Sequence, residues 1–368
     1  MLVKFAVTHY RGFADRIEWD LSNPANYEFN PHVIKNGIIK NGILYGPNGS
    51  GKTNFSLALF DIVNHLSPNW KKPDYYMNFI HAGSPESVVD FEYEFRFERT
   101  KVRYTYSKNA LGILVAEFLY VDDEMVFERK GKRVQINGQQ FPMTPMAKKN
   151  LSNNNANNVS IVNFLLISYP LAKDHYLIRL KQFVDSMLWF RHLDTREFIG
   201  LDPAPTDNID QFIITNNLLN DFATFLKEVS GQRFHFAKPK PGEKVIFCQV
   251  KEHSIPFHTI ASTGTEALYL LYFWRQKIKN ASFVFIDEFD AFYHFKLAFE
   301  ICKRLFRLDC QVFTSSHNTY LMTNELLRPD CNFILRNNTI KPLNECTDKE
   351  LRFGHNIEKI YRANAFNL

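Results

Sequence analysis

The chain reads as an α/β protein: a mixed sheet that carries a phosphate-binding loop, an antiparallel β subdomain beside it, and a small helical lobe. Three observations predict this. The apolar run Gly42-Ile43-Leu44-Tyr45 leads into Gly46-Pro47-Asn48-Gly49-Ser50-Gly51-Lys52-Thr53, a complete G-x-x-x-x-G-K-[ST] loop. Between positions 88 and 136 apolar and polar residues alternate as in half-buried strands. From 159 to 229 the apolar spacing becomes helical in pieces.

At the start of the chain, Leu2 to His9 predicts an edge strand and Arg16 to Leu21 its hairpin partner, turning through Tyr10-Arg11-Gly12-Phe13. Arg11 reaches the phosphate loop if these strands neighbour it, and is otherwise a solvated hairpin arginine. In the loop itself, Gly46, Gly49 and Gly51 let the backbone curl so that successive N–H groups face phosphate oxygens, and the next helix adds its positive end. Lys52 is placed to reach the β- and γ-phosphates, and the Thr53 hydroxyl to ligate Mg²⁺. Phe55, Ala58, Leu59, Ile62, Val63 and Leu66 then recur at the spacing of one buried helical face.

The alternating segments Val88 to Phe97, Val102 to Tyr106, Leu114 to Tyr120 and Arg133 to Ile136 predict antiparallel strands inserted beside the nucleotide sheet. The polar tract 147–158, with its run of asparagines, reads as a flexible linker that ends the first lobe. Leu177, Leu180, Phe183, Val184 and Met187 predict a helix, and Leu201-Asp202-Pro203-Ala204-Pro205 a break. The resulting division is a first ATPase lobe over 1–146, a helical lobe over 147–235 and a second ATPase lobe over 236–368. The lysine-rich loop Lys238 to Lys244 reads as a solvated turn, with a nucleic-acid contact as the minority reading.

In the last lobe, Ile260-Ala261-Ser262-Thr263-Gly264-Thr265 precedes a helix with Leu268, Leu271, Tyr272 and Arg275, and small residues at a helix start form an anion site or an ordinary N-cap. Ser282 to Ile286 is an apolar strand that ends in Asp287-Glu288. Carboxylates at the carboxyl end of such a strand suit metal chemistry: Asp287 holds Mg²⁺ through water, and Glu288 deprotonates the attacking water. A further buried strand, Cys310 to Ser316, ends in His317, whose imidazole suits a γ-phosphate or water contact.

The 368 residues carry a net charge of +5, too small for their length to demand or exclude a nucleic-acid partner. Five cysteines, an odd number without C-x-x-C spacing, argue against a disulfide framework and fit a reducing cytoplasm. No signal peptide and no bilayer-spanning apolar run are visible, so a membrane is not expected as a partner. No sustained heptad repeat predicts a long coiled coil.

In this order, the motifs resemble the heads of ATP-binding cassette (ABC) ATPases of the SMC-like and OLD-like branch, over most of the chain. Gly46 to Thr53 resembles Walker A, Phe283 to Glu288 Walker B, Ser262 to Thr265 a degenerate signature motif, His317 the switch histidine and Asp290 the D-loop aspartate. The signature departs from the family pattern at Thr263 and Thr265, and no glutamine among Gln135, Gln139 and Gln140 is singled out as the Q-loop residue. Phe5 to Phe13 and Leu351 to Phe366 are also similar to bacterial ABC-type ATPases of phage-defence and restriction loci, which often stand beside a nuclease or toxin. The resemblance implies a homodimer or higher homo-oligomer around ATP, with Ser262 and Gly264 of one copy capping the nucleotide on Lys52 and Thr53 of another. It also implies ATP and Mg²⁺ as ligands, a separate effector protein, and nucleic acid as a further candidate partner. Two rivals are an SMC-like DNA-tethering or repair head, against which the missing coiled coil counts, and a GTPase switch, for which no Asn-Lys-x-Asp motif is present.

Overall fold

The computed structural model describes residues 1–68, 73–85, 87–151, 159–191, 197–201 and 209–367. Two seven-stranded sheets organise them, and together they give the α/β fold with an antiparallel subdomain that the sequence predicts. The nucleotide sheet runs in the order Phe198–Gly200, Met187–Arg191, Phe283–Asp287, Gln311–Ser316, Asn41–Tyr45, Asn332–Arg336, Thr339–Pro342. Its five inner strands are parallel and its two edges antiparallel. Apolar runs such as Phe283–Asp287 are buried throughout, as expected of strands covered on both faces.

The second sheet is wholly antiparallel, in the order Arg133–Ile136, Glu124–Lys130, Leu114–Val121, Thr100–Asn109, Val88–Phe97, Leu2–Thr8, Ile17–Asp20. This corrects the expectation of an edge position for the first strand. Leu2–Thr8 pairs with Ile17–Asp20 on one side and with Val88–Phe97 on the other, so its hairpin partner is the edge.

The sheets are joined through side chains. Gln311, buried on a nucleotide-sheet strand, accepts from the Leu2 amide at 2.7 Å and donates to the Leu2 carbonyl at 3.0 Å. Trp19 of the antiparallel sheet meets Phe55, Phe313 and Phe333 edge to face; such pairs add roughly 0.5–1.5 kcal/mol each beyond their buried area.

The helix expected after the phosphate loop is two helices, Lys52–Leu59 and Asp61–Leu66, separated at Phe60. All six residues of its predicted apolar face are buried. The break lets Asp61 enter the core, where its carboxylate accepts from Tyr106 Oη and Lys108 Nζ, each at 2.7 Å. A buried pair of this kind fixes the relation of helix to sheet more than it adds net stability.

The stretch read as a helical lobe does contain Ile161–Ser168, Tyr176–Asp185, Ile209–Thr215 and Leu219–Ser230. It also supplies Met187–Arg191, which pairs in parallel with Phe283–Asp287. Met187 therefore belongs to a strand of the nucleotide sheet and not to the preceding helix. Of the polar tract, 147–151 lies in the helix Pro145–Leu151 and 152–158 lies outside the described residues, as does most of the break at 201–205. Among the described residues the longest helix, Thr263–Ile278, has 16 residues, and none is long and apolar enough to cross a membrane.

Candidate functional site

Three neighbouring parallel strands end at one place. Asn41–Tyr45 leads into the phosphate loop, Phe283–Asp287 ends in the carboxylates, and Gln311–Ser316 lies between them. The loop requires glycine where φ turns positive, 78° at Gly49 and 98° at Gly51. At Gly46 a Cβ would lie 2.6 Å from the Leu335 carbonyl oxygen, and at Gly51 it would strike the Phe13 ring at 2.8 Å. Pro47, Asn48 and Gly49 are exposed at the tip, while Ser50 Oγ is buried without a hydrogen-bond partner.

Lys52 is buried and donates to the carbonyls of Gly46 at 2.9 Å and Pro47 at 3.2 Å. Burial pulls its ammonium below the ordinary lysine value, partly offset by the carboxylates of Asp287 and Glu288. Thr53 Oγ1 donates to Asp287 Oδ2 at 2.7 Å across 234 positions of sequence. Ser315 Oγ donates to the other oxygen of Asp287 at 2.7 Å and accepts from the Glu288 amide at 2.8 Å. Burial raises the pKa of Asp287, with the two hydroxyls working against it.

This donor set fits a hard divalent cation. It offers a hydroxyl and a carboxylate at hydrogen-bond distance beside a loop whose Ser50 hydroxyl is itself unsatisfied.

Glu288 takes a left-handed backbone, φ 48°, which is strained for a residue with a Cβ and turns its side chain off the strand's alternation. Arg191, opposite Asp287 in the parallel register, meets Glu288 Oε1 through Nη2 at 2.9 Å and lies 3.7 Å from Asp287 Oδ2 through Nε. Sequence reading missed this arginine because Met187-Leu188-Trp189-Phe190 was partly absorbed into a helical pattern. A run of four large apolar residues ending in a charge is the signal that finds it. Ser315 was missed too: nothing in the strand pattern marks one hydroxyl among Thr314, Ser315 and Ser316.

His317 is exposed, and burial of part of its ring together with the Lys52 charge holds its pKa below the ordinary value. Asp290 is held above the usual carboxylate range by burial, against hydrogen bonds from Ser316 and Asn318. Arg11 donates to Asn54 Oδ1 at 3.2 Å, so the hairpin turn does reach the first turn of the phosphate-loop helix. It arrives there through packing between the sheets, since its strand does not pair with the nucleotide sheet.

Ser262 and Gly264 stand apart from this cluster. Ser262 is the exposed N-cap of Thr263–Ile278 and accepts from the Thr265 amide at 3.3 Å. A Cβ at Gly264 would lie 3.3 Å from the Phe292 carbonyl oxygen, and Tyr293 Oη donates to the Ala267 carbonyl, so the segment around Asp290 packs on the start of that helix. Among the glutamines, Gln135 lies on the far edge strand of the antiparallel sheet and Gln140 accepts from Tyr176 Oη.

The helix bearing Ser262 is anchored by His258, which lies 3.1 Å from Asp210 Oδ1 and 2.7 Å from Glu266 Oε1. Hydrogen bonds to Asp210 and then Glu266 push His258 up to about 9. A raised folded pKa stabilises fully below the unfolded value near 6.5 and ceases to do so as pH rises through about 9. Melting temperatures between pH 6 and 9.5 should therefore fall more steeply for the wild type than for His258→Gln. Parallel curves would remove the ion pair from the account.

A cavity of about 420 Å³ lined by Gly46, Pro47, His317, Arg336 and Tyr361 brings the helix Ile357–Arg362 beside the phosphate loop. The larger cavity, about 760 Å³ between Phe295 and Glu358, contains none of the loop residues, so volume alone does not mark this site.

No family model matches the chain, and no curated protein matches it. Solved structures that are similar include an SMC head domain from Thermotoga maritima, at 14% identity and TM-score 0.45 over 92% of this chain and 97% of that one. An SMC head bound to the C-terminal winged-helix domain of ScpA is 14% identical with TM-score 0.48 over 94% and 99%. An SMC head with an extended coiled coil, bound to the C-terminal domain of ScpA derived from Pyrococcus furiosus, is 12% identical with TM-score 0.46 over 92% and 95%.

Proposed function

We propose that the chain is an ABC-type ATPase that binds ATP with Mg²⁺, hydrolyses it to ADP and phosphate, and uses ATP-dependent association of its own copies to control a separate effector. The supporting observation is the 2.7 Å hydrogen bond from Thr53 to Asp287, which brings the threonine of the phosphate loop to the carboxylate that ends the strand Phe283–Asp287, across 234 positions of sequence.

In this reading the backbone amides of Gly46 to Thr53 hold the β- and γ-phosphates and Lys52 neutralises them. Thr53 and Asp287 would hold Mg²⁺, which when bound would further neutralise charge on the phosphates. Glu288 accepts a proton from the attacking water as its oxygen bonds to the γ-phosphorus and the bond to the β-phosphate oxygen breaks. His317, which lines the same cavity as Gly46 and Pro47, steadies the γ-phosphate or the water. Ser262 and Gly264 of a second copy, with the Asp290 segment packed behind them, close over the nucleotide. ATP then binds the paired state better than the separate one, and its hydrolysis shifts the population back.

The resemblance further suggests anti-phage defence, with a nuclease or toxin as the effector and the cytoplasm as the setting. Light scattering tests the first step: Mg²⁺·ATP should move the mass from 43.1 kDa toward at least twice that value, and Ser262→Arg should abolish the change. A wild-type mass unchanged by saturating ATP would reject association across the nucleotide.

A further inference from the structure

Arg191 has no place in the motifs, yet among the described residues it is the cation within 4 Å of both Asp287 and Glu288. Its Nη2 forms an ion pair with Glu288 Oε1 at 2.9 Å, while its Nε stands 3.7 Å from Asp287 Oδ2, beyond hydrogen-bond distance, and is buried without a hydrogen-bond partner. The guanidinium is thus fastened to Glu288 and only loosely set against Asp287. The strand register places it there, because Arg191 and Asp287 are direct partners in the parallel pairing. Asp287 is fully buried, and its carboxylate accepts from the hydroxyls of Thr53 and Ser315.

We propose that Arg191 is a positioning residue that guards the metal site: its guanidinium neutralises Asp287 and Glu288, and it must leave Asp287 before a divalent cation can be held there. The inference rests on the proposed reading of Thr53 and Asp287 as metal ligands. Its physical basis is charge. A guanidinium and a divalent ion cannot both sit within about 4 Å of one buried carboxylate without strong repulsion, since little water screens them. A triphosphate on Lys52 supplies the negative charge that makes both cations tolerable, so the metal enters with nucleotide and not ahead of it. The asymmetry of the two contacts sets the order of events. The longer Nε contact opens first, while the Nη2 ion pair with Glu288 persists.

Mn²⁺ followed by electron paramagnetic resonance tests this without relying on turnover, because free and bound ions give different signals. In the absence of nucleotide, Arg191→Ala and Arg191→Gln should bind Mn²⁺ about tenfold or more tightly than the wild type, by removal of one nearby positive charge. Arg191→Lys, which keeps the charge and loses the fork, should remain within about threefold of the wild type. With ATP present the four proteins should converge. Arg191→Gln retains a polar side chain of similar reach, and equal melting temperatures would exclude a folding artefact. Unchanged Mn²⁺ affinity in both neutral variants, with Mn²⁺·ATP binding intact, would overturn the guard. Absence of Mn²⁺ binding in every protein even with ATP would instead reject the metal reading itself, and the guard with it.

Discussion

Lys52→Ala is expected to weaken ATP binding by about two to four orders of magnitude while leaving the melting temperature unchanged or slightly raised. Two charge-assisted hydrogen bonds to phosphate oxygens contribute roughly 1.5–3 kcal/mol each, and every 1.4 kcal/mol is tenfold in affinity. The fold should not suffer. Lys52 bonds only carbonyls of its own loop, at 2.9 and 3.2 Å, and burial already works against its charge. Removing a buried cation that lacks a direct anionic partner relieves desolvation, whereas the phosphates are what give that charge a purpose. Calorimetric titration with ATP, paired with a thermal melt, separates the two effects. An affinity within threefold of the wild type would mean that Lys52 does not meet the phosphates.

What the sequence made legible follows from how far each signal reaches. The phosphate loop is local, because its glycines, lysine and threonine are contiguous, and the carboxylates are marked by the apolar strand that delivers them. The fold places the two segments at the same end of the nucleotide sheet, on strands separated by Gln311–Ser316. The antiparallel strands were legible through alternation, yet which strand lay at the edge was not, since alternation reports a buried face and says nothing of hydrogen-bond partners. Leu2–Thr8 became internal because Val88–Phe97, far along the chain, pairs with it.

Arg191 and Ser315 act only through long-range register. Their roles depend on Met187–Arg191 lying beside Phe283–Asp287 and on Gln311–Ser316 flanking it, and no local pattern encodes that. The predicted helix divides at Phe60 although its apolar face stays buried as the spacing predicts, and Asp61, directly after the break, accepts from Lys108 across the core.

Glu288→Gln should reduce phosphate release by about two to four orders of magnitude, the range expected for loss of a general base, while preserving ATP affinity. The two side chains are nearly isosteric, so the variant tests proton acceptance alone. The amide oxygen keeps a dipole toward Arg191 Nη2, and the backbone bond from the Glu288 amide to Ser315 Oγ, 2.8 Å in the wild type, is untouched. Since the left-handed φ of 48° is retained, Glu288→Gly makes an informative companion. Glycine relieves the strain, roughly 1–2 kcal/mol for a residue with a Cβ, so that variant should gain stability yet hydrolyse no better than the glutamine form. With the γ-phosphate unsplit, the species that ATP favours should accumulate, and light scattering should find the glutamine variant as a persistent oligomer in Mg²⁺·ATP while the wild type returns to monomer as ATP is consumed. Wild-type hydrolysis by Glu288→Gln would assign the base elsewhere, with His317 the next group to test. Lost hydrolysis without accumulation of an oligomer would keep Glu288 as the base and reject the shared nucleotide, because a single-copy ATPase has no paired state to trap.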